Sequence, residues 1–161
     1  MNKNIKNISD SKILLKNGQI LNVLNGKDTV KDILIEDGKI VEIGKIENND
    51  SYFTIDCNKK IITQAFIDIH THFKSPGVGD QETFISGSNA ALSGGYSKVC
   101  IMPDTNPIID NPELVKFILN QSSTLPINIH PIGAITKKLN GIDIAELGSM
   151  INSGAVAISD A

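Results

Sequence analysis

Arginine is missing altogether: all 15 basic residues of this 161-residue chain are lysines. No planar, bidentate fork for a carboxylate or phosphate therefore exists anywhere in it. With isoleucine and asparagine abundant, the absence reads as a bias of the whole composition rather than a local choice. Cysteine is scarce as well. Cys57 and Cys100 show no metal-type spacing and are too few for a disulfide framework, so reduced thiols are the expectation. No apolar run approaches the roughly 18 residues that a membrane span requires, and Met1 to Asp10 lacks the apolar centre of a secretory signal. No basic block exceeds two adjacent lysines and the net charge is -3, which argues against nucleic acid or an anionic membrane as partner. A soluble, cytoplasmic protein is expected, with enough chain for a hydrophobic core.

The chain reads as three parts. Residues 1–12 are polar and asparagine-rich and are expected to be a disordered tail. Residues 13–63 carry short apolar runs punctuated by Asn17-Gly18, Asn25-Gly26 and Asp37-Gly38. Asp-Gly between alternating apolar residues predicts a hairpin, because both central positions of a type I′ turn need positive φ. A small antiparallel sheet without catalytic residues is expected here.

Residues 64–161 change rhythm to alternating strand and helix. The patterns predict strands at Phe66–His72, Lys98–Met102, Ile127–Ile132 and Ala155–Ser159. Helices are predicted over Glu82–Leu92, over Asn111–Gln121 with asparagine as cap and proline first, and over Ile142–Ile151. Such spacing calls for parallel βαβ crossovers, whose sites lie at the C-terminal ends of the strands.

The chemistry-bearing residues sit at those ends. His70 and His72 are two apart at the end of an apolar strand and just before Lys74-Ser75-Pro76-Gly77. With a side-chain period of two, both imidazoles leave one face about 7 Å apart at their roots, close enough to meet on one metal ion. The plain alternative is a pair of edge histidines, and the strand-end context favours the metal. Asp104 follows the second strand and Asp160 closes the fourth. Each could join the histidines or bridge two metal ions. Equally, Asp104 could cap the Asn-Pro turns that follow, and Asp160 could be a solvated residue near the chain end. His130 matches no ligand position and reads as structural.

Several segments then fall into a familiar order: His70-Thr-His72-Phe-Lys-Ser-Pro-Gly77, Gly94-Gly95-Tyr-Ser-Lys-Val, Met102-Pro-Asp-Thr-Asn-Pro107, Pro131-Ile-Gly-Ala-Ile-Thr-Lys137, and Ala145-Glu-Leu-Gly148 with Gly154 to Asp160. Together they resemble the dihydroorotases of the amidohydrolase superfamily, of the type in which an aspartate bridges the metals. The resemblance implies the N-terminal part of a composite β-sandwich followed by a TIM barrel with zinc at its C-terminal mouth. It implies that His70 and His72 bind the first zinc and that Asp160 bridges to the second. Related dihydropyrimidinases and hydantoinases use a carboxylated lysine as the bridge, which argues for the dihydroorotase branch. The implied reaction is reversible hydrolysis of dihydroorotate to carbamoyl-aspartate.

Two residues depart from the family pattern. Lys74 stands where the family has an arginine on the substrate carboxylate, and Asp104 where a neutral asparagine makes the same contact. Lysine keeps the charge but loses the fork, and an aspartate opposes an anion. Both are taken as substrate-binding positions. A barrel needs about 250 residues and eight β/α units, whereas four are legible here. The expectation is thus roughly half a barrel with no assignable acid/base, inactive alone. Its partners would be a separate C-terminal half, a second copy, or aspartate transcarbamoylase served as a non-catalytic structural chain. A remnant without activity is the remaining reading.

Overall fold

The computed structural model describes residues 12–21, 26, 28–73, 75–77 and 82–160. The chain divides into two compact units, Met1–Gln64 and Ala65–Ala161. The expected tail lies outside the described residues as far as residue 11, and Lys12 already belongs to the first strand.

The first unit is a sheet of β1 (Lys12–Ile20), β2 (Thr29–Glu36), β3 (Lys39–Gly44), β4 (Tyr52–Asp56) and β5 (Ile61–Ile62). Its order is β3-β2-β1-β4, with β5 also on β1. The Asp37-Gly38 hairpin forms as the sequence predicts, with φ of 49° and 72° joining antiparallel β2 and β3. Two expectations fail. The sheet is mixed, because β4 and β5 run parallel to β1. Nor does Asn17-Gly18 separate two strands. Strand β1 continues through it with a bulge between Leu15 and Gly18, and Asn17 takes φ 60°. Asn25 lies outside the described residues.

The bulge has a cause in Asp32, a buried carboxylate on β2. Its Oδ1 accepts the Asn17 N–H at 2.8 Å, and its Oδ2 accepts the Ile46 N–H and the Lys16 Nζ, each at 2.9 Å. Lys16 also donates to the Ile46 carbonyl at 2.6 Å. Asparagine tolerates the left-handed conformation that turns its N–H toward this acceptor. Above the sheet, Leu14, Leu34 and Ile46 form the core, with Tyr52 against them.

The second unit alternates strand and helix. Its elements are β6 (Phe66–Thr71), α1 (Phe84–Ser93), β7 (Tyr96–Ile101), α2 (Pro112–Ser122), β8 (Asn128–Gly133), α3 (Leu147–Asn152) and β9 (Ala157–Ile158). The four strands are parallel and adjacent in chain order. Helix α1 starts at a capping box, in which the Ser86 N–H donates to Thr83 Oγ1 and the Thr83 N–H to Ser86 Oγ. Helix α2 starts as predicted, with Asn111 Oδ1 accepting the Leu114 N–H and Pro112 in the first turn. Val99 and Ile101 of β7, Val115 and Ile118 of α2, and Met150 of α3 close the core.

The third helix is shorter than its apolar spacing predicts. Residues before Leu147 form a 3-10 turn at Lys137–Leu139 and a Thr136–Ile144 bridge. The Lys137 N–H donates to the Asp143 carbonyl and the Ala145 N–H to the Ile135 carbonyl, so this segment's hydrogen bonds close a loop and not a helical turn. Ile142 is 79% exposed, and Ala145, whose spacing from it suggested a helix face, is buried as part of the loop. Among the described residues no helix is long and apolar enough to cross a membrane.

Asp32→Ala should destabilise the first unit by on the order of 3 kcal/mol, since it strands buried N–H donors and a lysine. Burial by itself would raise the Asp32 carboxyl, but the Ile46 and Asn17 N–H groups and Lys16 outweigh it and hold it below the ordinary carboxylate value. Its stabilisation is accordingly present above the unfolded carboxyl value and lost as pH falls through the lower folded one. Chemical denaturation followed across acidic pH checks both points: Asp32→Ala should flatten the acid-side decline.

Candidate metal centre at the strand ends

Where β6 ends, hydrogen bonds tie it to β7. Thr71 Oγ1 donates to the Cys100 carbonyl at 2.9 Å, and the Met102 N–H donates to the Thr71 carbonyl at 2.8 Å. His72 is the next residue on one strand, and Pro103-Asp104 continues the other. Phe73 then turns inward beneath α1, where Gly87 leaves it room: a Cβ there would lie 2.7 Å from the Phe73 ring.

The two histidines converge. His70 Nε2 and His72 Nε2 are 3.1 Å apart, with the rings tilted by 57°. Asp68 Oδ1 accepts the His70 N–H at 3.0 Å, bracing the strand from within. On the far side of the other ring, Asp104 Oδ2 lies 2.8 Å from His72 Nδ1. Asp104 therefore stands behind His72 and not beside the two Nε2 atoms. The sequence left open whether Asp104 caps the following turn or joins the histidines as a ligand, and the structure puts its carboxylate on the ring. Its other oxygen, Oδ1, is buried and has no hydrogen-bond partner among the described residues.

Asp160 is held elsewhere. Its Oδ1 accepts the N–H groups of Ile135 and Thr136 at 2.8 and 3.0 Å, and its Oδ2 accepts the Thr136 hydroxyl at 2.7 Å. The Thr136 hydroxyl, its N–H and the Ile135 N–H together hold the Asp160 carboxyl below its ordinary value, against a smaller opposing effect of burial. Thr136 was not among the sequence candidates; the signal for it is only that β8 and β9 end side by side, with Gly133 opposite Ile158. Lys74 lies outside the described residues. His130 sits within β8, half-buried and paired in register with Cys100 of β7.

A two-histidine metal site fits the observed spacing. Nitrogen ligands at about 2.0–2.1 Å in tetrahedral geometry stand about 3.3 Å from each other, and 3.1 Å is observed. Among the described residues, no three His, Cys, Asp or Glu side chains gather as a ligand set. A histidine pair so placed could supply two ligands and would leave the rest of a coordination sphere to other groups.

A model of Dihydro-orotase-like proteins matches residues 59–161. The chain belongs to this dihydroorotase-like family. It is 46% identical to a dihydroorotase from Caldicellulosiruptor saccharolyticus over 151 residues, covering 92% of this chain and 35% of that protein. A dihydroorotase from Ruminiclostridium cellulolyticum is 40% identical with the same coverage, 92% and 35%. The chain thus spans about a third of the length of these curated relatives. Among solved structures, an L-hydantoinase (dihydropyrimidinase) from Arthrobacter aurescens superimposes with a TM-score of 0.73 at 24% identity, covering 92% of this chain and 32% of that one. A dihydroorotase structure superimposes with a TM-score of 0.62 at 15% identity, covering 92% and 42%. At those identities the likeness concerns fold. The fold is α/β: the N-terminal part of a composite β-sandwich, then about half of the dihydroorotase-like barrel.

Thr136→Val should let the Asp160 carboxyl rise toward its ordinary value in the metal-free protein, because the hydroxyl is the largest cause of its depression. A carbon-detected NMR titration of the Asp160 carboxyl reads the shift directly. An unchanged midpoint would mean the two N–H donors suffice.

Proposed function

We propose that this chain carries the first metal site of a zinc-dependent dihydroorotase, hydrolysing dihydroorotate to carbamoyl-aspartate in pyrimidine biosynthesis. The observation that carries the reading is the pair of Nε2 atoms 3.1 Å apart at the end of β6, in a chain whose family is dihydroorotase-like. His70 and His72 would hold the zinc, and Asp160 would bridge to a second ion. Bound there, zinc supplies Lewis-acid activation of the ring amide and of water. The remaining contributions are the chain's own. Asp160, poised by Thr136, keeps an ionised carboxylate at the mouth of β9. Lys74 would offer a positive charge to the substrate carboxylate, as a point charge and not a fork. With about a third of the relatives' length present, turnover is assigned to the whole fold, with a C-terminal half or a further copy completing it. The scarcity of cysteine supports a cytoplasmic setting.

One observation favours a second reading. Asp104, an anion where the family pattern has a neutral asparagine, suits a non-catalytic dihydroorotase-like chain that serves as a structural partner of aspartate transcarbamoylase.

Zinc titration of the 161-residue chain beside His70→Ala separates these. The wild type should bind zinc, with affinity falling by more than about 100-fold in the variant. Dihydroorotate ring opening should be absent from the chain alone and emerge when the family's C-terminal two-thirds is supplied in trans. Zinc binding without turnover in that reconstituted mixture would favour the structural partner. Indifference of zinc affinity to His70→Ala would sink the metal site.

A further inference from the structure

We infer that Asp104 is a positioning residue for His72, fixing the ring tautomer whose Nε2 lone pair faces the metal. The inference rests on the metal reading above and assigns Asp104 a role other than substrate contact.

A neutral imidazole has one N–H, on either nitrogen, and only the other nitrogen can bind a metal. An ionised carboxylate accepts hydrogen bonds and donates none. With Asp104 Oδ2 2.8 Å from His72 Nδ1, the ring proton belongs on Nδ1 and donates to Oδ2. Nε2 is left with its lone pair, on the side where His70 Nε2 lies 3.1 Å away. Metal-ligating histidines commonly donate their second ring N–H to such an acceptor, which sets orientation and raises ligand basicity.

The acceptor is itself held in place. The Met102 N–H donates to the Thr71 carbonyl, and Thr105 Oγ1 donates to the Pro107 carbonyl at 2.7 Å, so the backbone is pinned on both sides of Asp104. Met102, Pro103 and Thr105 are all buried. Nor does a described group compete for the carboxylate, since Oδ1 has no partner among the described residues.

Aspartate does here what asparagine would do less surely. An amide can present either its carbonyl or its NH2 to the ring, and the NH2 face would drive the proton onto Nε2, where it blocks the metal. The negative charge removes that ambiguity.

The test uses the 161-residue chain and two readouts. Two-bond proton–nitrogen NMR of the metal-free protein should show His72 as the Nδ1–H tautomer, changing to Nε2–H or a mixture in Asp104→Ala. Chelator competition should show zinc affinity falling 10–100-fold in Asp104→Ala, with the isosteric Asp104→Asn between the two and of mixed tautomer. His72 carrying its proton on Nε2 in the wild type would overturn the inference without any variant. So would Asp104→Ala and Asp104→Asn matching the wild type in tautomer and affinity while His72→Ala lost zinc. Should wild type bind zinc no better than His70→Ala, the metal reading itself falls, whatever the tautomer.

Discussion

The site depends on how two parallel strands are aligned at their ends. Thr71 stands opposite Ile101, and its hydroxyl and carbonyl both engage the neighbouring strand. Those bonds bring the residue after one strand beside the residues after the next. His72 and Asp104, 32 positions apart in the chain, meet as a result. A slip of one residue would turn His70 and His72 to the opposite face and carry the pair away from Asp104. The helices contribute indirectly. α1 gives up a side chain at Gly87 so that Phe73 can pack beneath it, anchoring the chain just past His72.

A second pattern runs through both units. Several carboxylates are held by backbone N–H groups. Asp32 takes those of Asn17 and Ile46, Asp160 those of Ile135 and Thr136, Asp110 that of Lys138, and Asp68 that of His70. Such bonds are local, directional and independent of long flexible side chains, so they fix bulges and strand ends sharply. The Asp32 cluster bends β1, and the Asp160 cluster closes the mouth of β8. Among the described residues only Asp32 of these four recruits a lysine as well, and it is the most buried of them.

Membership of the dihydroorotase-like family gives these pieces a common frame, and Asp104 is one of two positions, with Lys74, read above as departing from the family pattern. In the resemblance noted above a neutral asparagine stands at this position, and here a charged side chain has a histidine ring within reach. In the structure that charge is directed at the ring and its free oxygen is buried. On the proposed function, an aspartate adverse to an anionic substrate would have a constructive use one contact away, at the histidine pair.

Features that local chemistry decides were legible along the chain. Asp37-Gly38 has to be a tight turn because both residues accept positive φ, and Asn111-Pro112 has to open a helix because one caps and the other cannot donate. The strand–helix alternation, the dihydroorotase-like family and the His70–His72 pairing were legible for the same reason: period and motif are properties of neighbours in the chain. Local signals misled where another residue intervened. Asn17-Gly18 looked like a turn, but Asp32 made it a bulge, and Ile142 and Ala145 looked like a helix face, but the loop from Ile135 claimed the backbone bonds. Asp104 on His72 and Thr136 on Asp160 are contacts that emerge with folding alone. Each joins the ends of two parallel strands separated by a helix, and no spacing along the chain encodes which side of a ring the next strand will present.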